Sequence, residues 1–286
     1  MRKTIVWAVC GLALTAGSLA AQPAAGLIDV FRVQVRPDKS MEYVNLTKKL
    51  VEINRKKGDR WIAFSTEYGA SNIIYFASRR SGYGEIEAGY GAMEAAMKQA
   101  LGTAGMAKMF ADLDAMSVSG VGEIRRRRWD LSVNVPPSDQ ELTNLVAHSR
   151  WFRTIRIDVK PGRMPEFVDA WKPWQAEVAR LGPKMPVLIT VTETAQPAVI
   201  ATFYLKSLKE IDETAEATQR LLSSDAYRSF ARSIADLTTH VAYELHRLRP
   251  ELSNPPDDIT AADPDYWKPK PAAKPKPAAE KPAENK

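Results

Sequence analysis

One cysteine serves the whole 286-residue chain, and it is Cys10. It lies in an N-terminal stretch expected to be cleaved, so the mature protein would carry no thiol. That excludes disulfide staples, cysteine zinc sites, iron–sulfur clusters and a thiolate nucleophile. Histidine is almost as scarce: His148, His240 and His246 are the full set. No G-x-S-x-G elbow occurs, and no Gly-rich phosphate loop precedes a helix. Beyond the N-terminus no run is long and apolar enough to cross a bilayer. The net charge of +6 is small, and much of it sits in the run Arg125-Arg126-Arg127-Arg128. A nucleic-acid binder spreads its basic residues over a groove or helix face, so no nucleic-acid partner is expected. The run reads instead as a strand rim or an ion-pair ladder.

Neither end reads as fold. Arg2 and Lys3 precede a short apolar run, Thr4 to Leu14, and Ser18-Leu19-Ala20-Ala21 supplies small residues for cleavage. Residues 1–21 therefore read as a secretory signal, cut after Ala20 or Ala21, and predict a periplasmic or secreted protein. Residues 254–286 are rich in proline and end in Lys-Pro-Ala alternation. Proline removes amide donors and favours extended geometry, so a disordered tail is expected there.

What remains is written twice. Phe31 to Pro37 (FRVQVRP) matches Ile155 to Pro161 (IRIDVKP), each alternating as a half-buried strand. A helical stripe follows at the same offset: Tyr43, Leu46, Leu50 and Ile53, then Phe167, Trp171, Trp174, Val178 and Leu181. The Trp171/Trp174 pair reads as core. Paired strands come next, Trp61 to Tyr68 with Ile73 to Ser78, and Val187 to Thr194 with Val199 to Leu205. A long helical region follows in each copy, Glu85 to Met116 and Lys209 to Leu237. Phe110 matches Phe230, and the first copy carries extra glycines. Its Gly82-Tyr83-Gly84 stretch reads as a mobile loop or the start of a helix. The last strands also match, Glu123 to Ser132 with Glu244 to Ser253. Each copy is β-α-β-β-α-β, a ferredoxin-like unit of about 100 residues. The organisation read from sequence is 1–21 signal, 22–132 first repeat, 133–149 linker, 150–253 second repeat and 254–286 tail. The fold class is α+β, with the two repeats packed sheet to sheet as a pseudo-dimeric α+β barrel. Because one chain supplies both halves, a monomer with pseudo-two-fold symmetry or a weak homo-oligomer is expected.

The strand–Pro–Gly–helix start Val159-Lys160-Pro161-Gly162, then Glu166-Phe167, resembles the dimeric α+β barrel superfamily. Within it the chain is most similar to NIPSNAP-like and antibiotic-biosynthesis-monooxygenase-like domains, over 27–132 and 150–253. The first copy departs from the pattern where Asp38 replaces the glycine. The resemblance implies a shape more than a reaction. The superfamily includes cofactor-free monooxygenases, isomerases, haem enzymes and proteins of unknown activity.

In a closed barrel the strand faces away from the helices point into the lumen. Arg32, Gln34, Arg156 and Asp158 belong there by alternation, with Glu123, Arg125, Glu244 and His246 from the last strands. Glu67 and Glu193 join them as candidates. Such a set is either a structural ion-pair network or a polar ligand pocket. No metal and no cofactor is expected. His240, Glu244 and His246 share parity, but six residues of strand span about 20 Å, too far for one metal. His246 would be the placed candidate for a haem ligand, without a supporting motif. Two functions stay open: an exported small-ligand-binding or accessory protein, and a cofactor-independent monooxygenase-like enzyme. In the second, Glu67, Glu193, Glu123 or Glu244 would abstract a proton and Arg32 or Arg156 would stabilise an oxyanion.

Overall fold

The computed structural model describes residues 23–194 and 196–268. The segment read as a signal lies outside the described residues, as does the tail beyond 268. The first repeat runs β1 (Leu27–Val35), α1 (Ser40–Asn54), β2 (Ile62–Tyr68), β3 (Ile73–Arg80), α2 (Tyr83–Ala115) and β4 (Ser117–Arg127). A short helix, α3 (Asp139–Ala147), joins it to the second repeat. That repeat runs β5 (Trp151–Val159), α4 (Met164–Leu181), β6 (Val187–Thr192) and β7 (Ala198–Leu205). Three helices follow, α5 (Lys209–Glu213), α6 (Ala215–Leu222) and α7 (Asp225–Ala235), and then β8 (Thr238–Leu248). Two further helices come after it, α8 (Asp257–Ala262) and α9 (Pro264–Trp267).

The eight strands close into one antiparallel barrel in the order β1-β3-β2-β8-β5-β7-β6-β4. Each repeat supplies a four-strand sheet with its last strand beside its first. The two seams are equivalent. β2 pairs with β8, setting Ser65 opposite Arg247, and β4 pairs with β6, setting Arg126 opposite Val191. Each repeat thus lends its final strand to the other's second strand, which leaves no free edge among the barrel strands.

Alternation assigns the two faces of the wall. The outward residues Val33, Val35, Ala63 and Ile74 form a core with Tyr43, Leu46, Leu50 and Val51 of α1. The corresponding face of the second repeat packs Ile157, Val159 and Val199 against Phe167, Trp171, Trp174 and Phe230. Inward residues Val30, Phe64, Tyr75 and Phe152 make a separate layer inside the barrel.

The structure corrects two expectations and decides one left open. The long helical region of the second copy is divided at Thr214 and at Ser223-Ser224. Ser224 starts α7 by accepting a hydrogen bond from the Tyr227 amide at 3.2 Å, and a capping serine favours a new start over continuation. Gly82 leads directly into α2, so the glycine-rich stretch is a helix start, and the helix is interrupted at Gly102, whose φ is 69°. Residues 254–268 are not disordered tail, and the linker carries α3. Helices α3 and α8 lie across one end of the barrel, with Leu142, Ala147 and Ile259 buried. Trp267, 3% exposed, donates its indole N–H to the Ala147 carbonyl at 2.9 Å. The proline count described the composition correctly but missed Ile259, Tyr266 and Trp267, which have apolar surface to bury.

Candidate functional site

Inside the barrel, β4, β5 and β8 bring the charged residues together. Glu123 is buried between two guanidinium groups, accepting from Arg125 at 2.7 and 2.9 Å and from Arg156 at 2.8 and 3.1 Å. Arg156 also donates to Asp158 at 2.8 Å. Burial alone would push the Glu123 carboxyl up, but Arg125 and Arg156 outweigh it and hold it below the ordinary carboxylate range. A carboxylate so held is a poor proton acceptor at neutral pH and a good structural tie. Glu244 accepts from the Tyr75 hydroxyl at 3.0 Å. Burial, reinforced by Glu244, pushes that phenol up to about 12. Arg32 lies directly across from Tyr75 in the register of β1 and β3, and Gln34 across from Ile73.

His246 is 1% exposed and is wedged between two hydroxyls. Its Nδ1 lies 3.1 Å from Thr66 Oγ1 and its Nε2 2.9 Å from Thr154 Oγ1. Phe64 and Tyr75 pack edge-on to the ring. Burial, with Arg125 nearby, lowers its pKa to about 3, although the Glu244 carboxylate stands 3.7 Å from Nε2. The imidazole is a neutral cross-link between β2, β5 and β8.

Two of the sequence candidates are elsewhere. Glu67 is exposed and accepts from Ser65 Oγ at 2.9 Å, on the outer side of the wall. The β2 strand bulges between Thr66 and Tyr68, which shifts the parity of its end. Glu193 follows the end of β6 and faces outward, where it pairs with Arg126 and accepts from the Tyr83 hydroxyl at 2.7 Å. The arginine run is largely an ion-pair ladder. Arg125 holds Glu123, Arg126 holds Glu193 and Arg128 holds Asp130.

The lumen has little space. A cavity of about 90 Å³ borders Tyr75, Arg125, Arg127, Glu244 and His246. A second of about 90 Å³ lies toward the α3–α8 end. A cavity of about 150 Å³ holds benzene, and each of these two is smaller.

A roomier, more apolar cavity lies on the other side of the first sheet. It measures about 540 Å³ and opens between that sheet and helices α1 and α2, bordered by Val33, Tyr43, Leu50, Trp61, Phe76, Met93 and Leu113. Ligand pockets usually measure about 300–1,000 Å³. Phe31, Tyr90 and Phe110 line it while remaining exposed, so they rim its mouth. One end is polar. Asp29 and Asp59 line the cavity there, and both pair with buried Arg80, at 3.4 and 2.6 Å. Burial raises the pKa of Asp29 against the pull of Arg80. Gly89 of α2 makes the approach possible, since a Cβ there would stand 2.5 Å from Arg80 Nη1.

Among the described residues the matching place in the second repeat is packed by side chains, and the aligned copies show why. Where α4 carries Trp171 and Trp174, α1 carries Thr47 and Leu50. In the second repeat Trp174 stacks on Phe230 at 5.7 Å and Trp171 meets it edge-on at 5.6 Å. Phe230 is 8% exposed, whereas its counterpart Phe110 is 41% exposed. Two missing indoles and one displaced phenyl account for the cavity. Both stripes stand in the sequence, but Thr47 and Leu50 carry no local signal of the gap they leave.

A haem held by histidine fits neither space. The imidazole nitrogens of His246 are both engaged by threonines beside a small cavity, and no histidine lines the large one. Among the described residues no cluster of three or more metal-ligating side chains occurs, and His240 is exposed near the far end of β8. No helix of the described residues is long and apolar enough to cross a membrane.

No protein-family model matches the sequence, and no curated protein does. Solved structures match in chain path. An anthrone oxidase-like protein is 11% identical, covering 78% of this chain and 91% of its own, with a TM-score of 0.49. A chlorite dismutase variant from Candidatus Nitrospira defluvii is 11% identical, covering 82% and 94%, with a TM-score of 0.44. A NIPSNAP family protein of unknown function from Agrobacterium tumefaciens is 20% identical, covering 36% and 91%, with a TM-score of 0.29. At these values the likeness is one of architecture and not of chemistry.

Proposed function

We propose that this chain is an exported small-ligand-binding or accessory protein. Its ligand, an aromatic or similarly flat apolar molecule, sits between the first sheet and helices α1 and α2. The observation that carries the reading is the asymmetry of the repeats: one scaffold is filled by Trp171 and Trp174, and the other leaves about 540 Å³ behind Thr47 and Leu50. An unfilled apolar cavity of that size forfeits packing energy, and an occupant would recover it. Export is supported by the signal-like residues 1–21 and is tested by cell fractionation. Binding is tested by titrating the full chain with 2-naphthol and following tryptophan emission, since Trp61 lines the cavity. Saturable quenching that disappears in Leu50→Trp supports the reading; no quenching, or quenching unchanged in that variant, defeats it.

The enzymatic alternative, a cofactor-independent monooxygenase-like protein, has to move with the space. The lumen carboxylates named from sequence are tied or outside, whereas Asp29 borders the large cavity and is raised by burial, as a proton acceptor requires. Oxygen uptake with hydroxylated aromatics, abolished in Asp29→Asn, is the outcome this alternative predicts; binding without uptake leaves the first reading standing alone.

A further inference from the structure

Three of the four arginines in the run Arg125–Arg128 hold a carboxylate, and Arg127 holds none among the described residues. Arg127 shares the lumen-facing parity of Glu123 and Arg125, and it borders both of the small lumen cavities. Inside the barrel Glu123, Asp158 and Glu244 are engaged by Arg125, Arg156 and Tyr75, and Arg127 pairs with none of them. Burial holds the Arg127 guanidinium below its ordinary pKa, with Arg79 adding repulsion, against a weaker opposing pull from Tyr204 and the Asp139 carboxylate. Arg79 is itself engaged by Asp258 at 2.8 Å. A guanidinium inside a protein is costly unless something negative or strongly accepting faces it.

Other donors border the first of these cavities. Trp129 lines it, with the Arg127 guanidinium carbon 5.6 Å from its ring centroid. The Trp129 indole N–H is buried and has no hydrogen-bond partner among the described residues. Thr190 sits directly across from Arg127 in the register of β4 and β6, and it lines the cavity with Thr202 and Tyr204. The carboxylate that borders this cavity, Glu244, is engaged by Tyr75. The geometry points to a small-oxyanion site in the barrel lumen. Arg127 and the Trp129 indole N–H are its donors, and its ligand is one carboxylate or inorganic oxyanion of a few heavy atoms. The size follows from the volume of about 90 Å³, and the class follows from the planar guanidinium fork, which matches oxyanions. This site does not depend on the helix–sheet cavity.

The test is calorimetric titration of the full chain with sodium acetate, sodium nitrate and sodium chloride at constant ionic strength. Saturable one-site binding of acetate or nitrate is expected, and whichever binds more tightly separates a carboxylate from an inorganic oxyanion as the ligand. Arg127→Gln weakens binding at least tenfold, while the surface variant Arg36→Gln leaves it unchanged. Trp129→Phe keeps the ring and removes the N–H, and it weakens binding about tenfold, the usual loss of a hydrogen bond to a charged group. It also serves if Arg127→Gln does not fold. Absence of saturable binding, an equal response to chloride, or unchanged affinity in Trp129→Phe or in folded Arg127→Gln overturns the proposal.

Discussion

If the two repeats differ because α1 lacks the indoles of α4, restoring one should fill part of the cavity. Leu50→Trp is the better graft. Thr47→Trp would also refill the space, but the indole of Trp171 is anchored on the Leu131 carbonyl at 2.9 Å. In the first repeat the matching acceptor, the Leu252 carbonyl, is already taken by Trp61 Nε1 at 2.8 Å. Position 50 carries no such conflict, and its counterpart Trp174 needs only the face of Phe230. Fully burying a large apolar side chain contributes about 1.5–3 kcal/mol, and a stacked aromatic pair adds about 0.5–1.5 kcal/mol. Leu50 already contributes part of the first figure, and ordering the indole and drawing Phe110 inward costs side-chain entropy. A net gain of about 1–2 kcal/mol remains. For a chain of this size each kcal/mol moves the midpoint by about 2–4 °C, so thermal unfolding followed by circular dichroism should shift upward by about 2–8 °C. In the same variant 2-naphthol should lose its site. A midpoint unchanged or lowered, with probe binding retained, would refute the claim that α1 lacks what α4 supplies.

The lumen gives predictions of a different kind. His246 has a folded pKa of about 3, below its ordinary 6.5, so the unfolded chain binds its proton first. Its contribution is fully present above pH 6.5 and is lost as the pH falls toward 3, by a few kcal/mol at most. Urea unfolding at several pH values should show that slope shallower in His246→Gln, and identical slopes in both proteins would contradict the neutral cross-link. Glu123→Gln leaves Arg125 and Arg156 facing each other without a buried carboxylate, and should cost about 3–5 kcal/mol in the same assay; a loss below about 1 kcal/mol would show the network to be solvent-screened. Trp267→Ala removes a buried indole and its hydrogen bond to Ala147, and should cost about 3–5 kcal/mol. If that variant melts like the parent, the helices after residue 254 do not support the barrel.

The sequence determined a good deal unaided. Alternation in FRVQVRP and IRIDVKP, and the helical stripes behind them, follow local rules of chain geometry, so the strands, the helices and the duplication were legible. The charged lumen followed too, because alternation carries Arg156, Glu123 and His246 to one face. Local rules failed wherever a contact came from far along the chain. Glu67 and Glu193 lie at strand ends, where a bulge or the end of pairing undoes alternation. The stretch after residue 254 is ordered only because α3 and the barrel end offer Trp267 a place to bury its ring. The position of the cavity is the clearest case. Thr47 and Leu50 are ordinary helix residues in sequence, and they leave a void only because α1, α2 and the first sheet keep the spacing that Trp171 and Trp174 fill in the second repeat. Spacing between packed layers is a property of the assembled body, so only the tertiary structure could decide where this protein has room.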